Sequence, residues 1–348
     1  MVELWFAIAA VTVTAYVVLD GFDLGAGALH QVVARNDIER RQVLAAIGPY
    51  WDGNEVWLLA TGGILFVAFP SVLASALSGF YLAIMLVVWM LMLRGLAIEF
   101  RSHVCDPLWR AAWDALFAIA STALCIILGA ALGNLMRGLP LDARGWFALP
   151  LFTDWSAREP VGILDWYTVL VGGFALLALA GHGGLYLSWK TDAAVHERAR
   201  RAARALWIAV AALWIPLTFA TGFVNPGFGA ALAARPLAWL GAALAAGGMA
   251  TVFVAPRRRR DDLAFAGSCA FLGGLLVATA AATWPVMLRS SGDPALSITA
   301  HGAATDHAGL RVALRWWVVA FPLAIGYLVL LFRLHRGKAA ASAEGEGY

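Results

Sequence analysis

Nine runs of mostly apolar residues, each about as long as a helix must be to cross the hydrocarbon core of a bilayer, decide what this chain can fold into. They lie near residues 4–29, 50–70, 72–98, 113–136, 161–188, 205–224, 236–255, 262–287 and 312–332. With 61% hydrophobic residues, 14% charged residues and a mean hydropathy of +0.76, the chain lacks the charged surface, about a quarter of all residues, that water-soluble domains carry. The expected fold class is all-α and integral to the membrane. The first run starts at Leu4 with no basic segment before it and continues too far for a signal sequence, so helix one is expected to stay in the protein.

The placement of basic residues orients the spans. Taking loops alternately, 18 of the 25 Lys and Arg fall on one side, including Arg35, Arg40, Arg41, Arg198, Arg200, Arg201 and the run Arg257 to Arg260. Cytoplasmic loops retain positive charge. The N-terminus is therefore expected outside and the C-terminus in the cytoplasm. Residues 1–136 form a first four-helix bundle, 137–160 an extracytoplasmic connection, and 161–290 a second four-helix bundle. Residues 291–348 add a loop, a ninth helix and a cytoplasmic tail. Two four-helix bundles plus one peripheral helix is the expected architecture. Weak echoes, Leu19 to Gly25 beside Leu179 to Leu185 and Ala-Thr-Gly at 60–62 and 220–222, hint at a parallel repeat.

Charges inside spans cost about 2.5–3.5 kcal/mol each at mid-helix on insertion scales, so their clustering calls for a reason. Asp20 and Asp23 lie late in helix one, Asp52 and Glu55 open helix two, and Arg94, Glu99 and Arg101 close helix three. At 1.5 Å per residue from Leu4, Asp20 sits roughly 24 Å below the outer interface, which places the group at cytoplasmic depth. Asp20 with Asp23, and Asp52 with Glu55, are i, i+3 pairs that share a helix face. Two facing carboxylate pairs form a polar shaft, and carboxylates crowded in low dielectric can hold a proton between them. That is a candidate proton relay. A structural reading stays open beside it: Asp52 caps helix two after Pro49, Arg94 and Arg101 neutralise acids on neighbouring helices, and the cluster fixes packing.

Other chemistries lack support. Cys105, Cys125 and Cys269 stand far apart and form no C-x-x-C, so neither zinc nor covalent haem is indicated. Of seven histidines only His182 lies well inside a span; with no second histidine facing it, the sign of a bis-His haem is missing, and a histidine satisfied between helices is the simpler reading. Most of the 16 Trp fall near span ends, as interfacial anchors do. The four-arginine run reads as a cytoplasmic topology signal rather than a nucleic-acid or lipid site. There is no Walker sequence and no dinucleotide fingerprint.

Three stretches carry a resemblance: Leu19-Asp20-Gly21-Phe22-Asp23-Leu24-Gly25, then Gly48-Pro49-Tyr50-Trp51-Asp52-Gly53-Asn54-Glu55-Val56-Trp57, then Arg94-Gly95-Leu96-Ala97-Ile98-Glu99-Phe100-Arg101. In this order and spacing the chain resembles subunit II of the cytochrome bd-type quinol oxidases, including the cyanide-insensitive branch. Arg-Asn-Asp-Ile-Glu-Arg-Arg at 35–41 and Ser78-Gly79-Phe80-Tyr81 add to it. Beyond about residue 115 the likeness rests on helix pattern.

The resemblance implies a non-catalytic, haem-free partner of a subunit I that carries two b-type haems and one d-type haem, in a bacterial inner membrane. Quinol and O2 are then the substrates of the complex, and protons come from the cytoplasm. It further implies that Asp52 and Asp23 belong to the proton pathway; the charge cluster read above adds Asp20, Glu55 and Glu99 as candidates, with Trp51, Asn54, Trp57, Arg94 and Arg101 in support. Some members hold a structural quinone in this subunit, and a small single-helix accessory subunit can join; neither is placed by these residues. His301, Asp306 and His307 have no role in the resemblance. The alternative function is a stand-alone proton-coupled transporter, since parallel repeats with intramembrane carboxylates also describe that class. A pure scaffold is the third.

Overall fold

The computed structural model describes residues 1–340; the end of the expected cytoplasmic tail, 341–348, lies outside the described residues. The chain runs α1 (Val2–Val33), α2 (Asp37–Ile47), α3 (Trp51–Ala68), α4 (Pro70–Gly79), α5 (Tyr81–Phe100), α6 (Pro107–Arg137), α7 (Trp166–Lys190) and α8 (Ala193–Val224). It continues through α9 (Pro226–Ala234), α10 (Pro236–Val254), α11 (Asp261–Thr283), the strands β1 (Val286–Leu288) and β2 (Ile298–Thr299), α12 (Ala300–Ala303) and α13 (His307–Leu334). Eight of the described helices, α1, α5, α6, α7, α8, α10, α11 and α13, are long and apolar enough to cross a membrane. The second expected span is α3, whose 18 residues open on Asp52 and Glu55 and are correspondingly less apolar. Counting it gives the nine helices expected.

Several helices overrun their apolar windows, because a spanning helix continues into polar residues once it leaves lipid. α6 starts at Pro107 rather than near 113, capped by Asp106, which accepts from Trp109 N. α8 begins at Ala193, a full three turns before its apolar run, with Glu197, Arg198, Arg200 and Arg201 on the extension. The third expected span, 72–98, proves to be two helices. They part at Ser78-Gly79, residues of low helix propensity, where the Phe147 ring occupies the space a Gly79 side chain would need. The fifth span starts at Trp166, fixed by a capping box in which Asp165 accepts from Thr168 N while Asp165 N donates to Thr168 Oγ1.

α1, α3, α5 and α6 pack as one bundle and α7, α8, α10 and α11 as the other, joined where α1 and α6 meet α7 and where α1 meets α11. α13 lies against α3, with Trp57 edge-on to Phe321 and Tyr50 4.6 Å from Phe332 between ring centres. The bundles meet at glycine. A side chain on Gly25 would strike the Leu179 carbonyl, and one on Gly183 would strike the backbone of Gly25 and Ala26, so the helices cross with main chain against main chain. The echoing segments 19–25 and 179–185 thus mark the crossing point.

On the side bearing the N-terminus, segment 138–165 and the β1–β2 hairpin form a cap. Leu139 N donates to Arg289 O and Ser291 N to Leu139 O, both at 2.8 Å. On the opposite side the end of α13 is tied down: Lys190 Nζ donates to His335 O at 2.6 Å and Tyr50 Oη to the same carbonyl at 3.2 Å.

Candidate functional site

α1 contributes Asp20 and Asp23, α3 contributes Asn54 and Glu55, and α5 contributes Arg94. Arg94 Nη1 donates to Asp20 Oδ1 at 2.6 Å and Nη2 to Glu55 Oε1 at 2.5 Å. Asn54 Nδ2 donates to Asp23 Oδ2 at 2.7 Å and lies 3.3 Å from Leu19 O. Asp20, Asp23, Asn54 and Arg94 are fully buried, while the Glu55 side chain is 23% exposed. Glu55 is therefore the cluster's contact with the outside. One guanidinium stands among three carboxylates. Among the described residues, Asp20 Oδ2, Asp23 Oδ1 and Asn54 Oδ1 find no hydrogen-bond partner, an unusual accumulation for groups that interiors normally pair.

Other residues singled out from the sequence stand apart. Asp52 is exposed in the first turn of α3, one helix face away from Asn54, and caps nothing: the N-cap is Tyr50, without a side-chain bond. Glu99 is exposed, with His103 Nδ1 2.8 Å from its carbonyl oxygen. The expected pair of facing carboxylate pairs is thus an Asp20–Arg94–Glu55 bridge beside an Asp23–Asn54 contact. Trp51 borders Gly95, whose Cβ position lies 3.3 Å from the indole, and Trp57 is buried against α13.

Arg101 belongs to a second cluster, nearer the C-terminal end of α1. Its Nε donates to Asp114 Oδ1 at 2.6 Å and its Nη2 to Asp37 Oδ1 at 2.8 Å. Asp114 also meets His30 Nε2 at 2.6 Å and Arg40 Nη1 at 3.0 Å. Asp37 also bonds Arg41 Nε and Arg110 Nη1, each at 3.1 Å. Four segments are locked by this knot: the ends of α1 and α5, the short helix α2 and the start of α6. Sequence reasoning missed His30 and Asp114. The signal was present, because Asp114 is an acid inside the fourth apolar run.

The family described as cytochrome bd terminal oxidase subunit II matches residues 1–335 of this sequence. The chain belongs to that family. Among its relatives, the probable cytochrome oxidase subunit 2 of Haemophilus influenzae is 28% identical over 369 residues, spanning 97% of this chain and 95% of that one. The cytochrome bd-I ubiquinol oxidase subunit 2 of Escherichia coli strain K12 is 34% identical over 218 residues, 61% of this chain and 56% of that one. In fold, the chain is similar to a chain of the bd oxidase from Geobacillus thermodenitrificans, with a TM-score of 0.73 and 18% identity across 96% of this chain and 98% of that one.

Membership makes the chain subunit II of a quinol oxidase, one part of a membrane oxidoreductase complex that includes a subunit I. It also sets the stand-alone transporter aside. The family implies haems in the partner subunit. Both ring nitrogens of His182 are engaged, Nδ1 2.7 Å from Ser268 Oγ and Nε2 2.9 Å from Val18 O, with the ring stacked on Phe265. His30 is held by Asp114. Among the described residues no group of three or more His, Cys, Asp or Glu could hold a metal ion.

Proposed function

We propose that this chain is the haem-free, non-catalytic subunit II of a quinol:O2 oxidoreductase, holding subunit I in place and passing protons to it from the cytoplasm. The single observation that carries the reading is the imbalance at the buried cluster. Asp20, Asp23 and Glu55 share one cation, Arg94, at a depth where an unpaired charge is costly. A proton on this cluster offsets part of the excess negative charge, and the unused oxygens of Asp20 and Asp23 are the places where it would reside.

Entry is by the exposed carboxylates. Asp52 and Glu99 lie at the ends of α3 and α5 that the positive-inside rule assigns to the cytoplasm, and Glu55 bridges that surface to the buried acids. Asp23, joined to α3 through Asn54, is the inner station. Arg94 keeps Asp20 and Glu55 in register without carrying a proton itself, since a guanidinium stays protonated. In this reading Trp51 and Trp57 fix α3 against α5 and α13, and Arg101 anchors the cytoplasmic end through Asp114.

The test uses the co-purified complex with Asp52→Asn and Asp23→Asn. Turnover per haem falls at least tenfold in each while the optical haem spectrum is retained. Unchanged turnover in assembled complexes overturns the relay. Loss of all haem points to assembly alone.

A further inference from the structure

A second polar site lies at the other end of the molecule, under the cap on the N-terminal side. A cavity of about 410 Å³ opens there, lined by Arg137, Arg158, Arg289, Trp166, Phe223 and Val224 among others. Its charges are unevenly matched. Arg137 is buried and fully used: its guanidinium pairs with Asp165 and donates to Gly162 O and Asn134 Oδ1. Arg289 donates through Nη1 to Arg137 O, and its Nε and Nη2 make no bond within the described residues. Arg158 lies over the Phe223 ring at 5.7 Å. No carboxylate of the described residues lies within salt-bridge distance of Arg158 or Arg289. Glu159, also at the rim, accepts from Ser291 Oγ at 2.6 Å. With Arg137 cancelled by Asp165, and Arg158 and Arg289 set against Glu159, the cavity keeps one net positive charge. Burial lowers the Arg289 guanidinium from its usual value, with no acid to offset it.

The apolar half of the lining says what kind of anion fits. Trp166 opens α7 and Phe223 is in the last turn of α8, so the cavity sits where spanning helices leave the hydrocarbon. From its mouth the exposed side chains Phe223, Phe219 and Ile215, 63%, 75% and 62% accessible, descend α8 at i, i+4 spacing and form one stripe. We propose that this cavity binds the phosphate of an anionic phospholipid from the leaflet on the N-terminal side, its acyl chains lying along the Ile215–Phe219–Phe223 stripe. Two guanidinium groups with free donors match phosphate oxygens, and the stripe supplies what a soluble anion would not use. The site is separate from the proton cluster and does not depend on that reading.

The test delipidates the assembled oxidase, re-equilibrates it in nanodiscs containing phosphatidylglycerol or phosphatidylcholine, and counts retained lipid by native mass spectrometry. The unmodified complex keeps one more phosphatidylglycerol than the Arg158→Gln/Arg289→Gln complex and shows no such difference for the zwitterionic lipid. Arg158→Gln alone weakens retention about tenfold. Because Arg158 holds no backbone group through its guanidinium, this variant keeps the test valid if the double variant does not assemble. Arg144→Gln, on the same cap but paired with Asp142, changes nothing. Equal retention by Arg158→Gln and the unmodified complex overturns the proposal. So does complete displacement of phosphatidylglycerol by excess inorganic phosphate, which would make the site one for a free anion.

Discussion

Arg94 and Asp20 meet at 2.6 Å with both side chains wholly buried, and the other arm of the same guanidinium reaches Glu55 at 2.5 Å. One cation thus ties α5 to α1 and to α3. Removing one partner of a buried pair typically costs about 3–5 kcal/mol, because the remaining charge is left uncompensated. Arg94→Met should therefore lower the thermal midpoint and yield of the detergent-purified complex markedly. Adding Asp20→Asn and Glu55→Gln should restore most of the loss, since the stranded charges are then gone. Equal stability of Arg94→Met and the unmodified protein would show that this bridge does not hold the bundle.

The knot around Asp114 should behave differently, because its carboxylate serves His30, Arg40 and Arg101 together. Asp114→Asn leaves Arg101 facing only Asp37 and removes the Arg40 tie between α2 and α6, so α2 is held more loosely. Hydrogen exchange of the α2 amides, 37–47, should accelerate at least tenfold, while exchange in α10 and α11 stays unchanged. Uniform acceleration across both bundles would mean that the knot stabilises the whole fold rather than α2.

Two glycines on one helix give opposite expectations. Gly183→Ala forces α7 away from Gly25 and Ala26, and overpacking of this kind costs about 1–3 kcal/mol or more. Gly173→Ala meets no atom within 4 Å and gains helix propensity, worth about 0.5–1 kcal/mol. Thermal midpoints of the two variants, read beside the unmodified complex, should move in opposite directions.

Glu39 joins α2 to α8: its Oε2 lies 2.5 Å from Arg198 Nη2 and accepts from Arg35 N at 2.6 Å. Arg198 holds this carboxyl below the usual carboxylate range, with backbone donors adding to the effect. A depressed folded-state value means that the contribution is present above the unfolded pKa of about 4.3 and fades as pH falls through the lower folded value. Glu39→Gln should therefore separate from the unmodified complex in thermal midpoint at pH 7 and converge with it as the pH drops below about 4. A pH-independent gap would assign the effect to packing.

Much of this was legible in the chain. The apolar runs gave the helices, and the depth of Asp20, Asp23, Glu55 and Arg94 along their helices was enough to bring them together. Helix phase was harder to read. Asp52 and Glu55 share a face in the i, i+3 sense, yet Asn54 is the residue that turns toward Asp23, because contact with α1 selects a narrower arc than spacing alone defines. Glu99 and Arg101 are two positions apart and cannot face the same neighbour, so Arg101 turns inward to Asp114 while Glu99 is exposed. His30 falls just past the first apolar run, but α1 continues to Val33 and Arg40 of α2 meets the same Asp114 carboxylate. The arginines under the cap carried no sequence signal, since Arg137, Arg158 and Arg289 are brought together by loops that no periodicity describes.

The claim on which the functional account depends is that protons reach subunit I through Asp23 and its neighbours. The direct measurement starts the reaction of the fully reduced complex with O2 and follows haem absorbance and a pH indicator together. In Asp23→Asn, proton uptake should slow at least tenfold, with O2 binding to the haem unchanged in rate. Proton uptake as fast as in the unmodified complex, in a variant with its full haem content, would contradict the account.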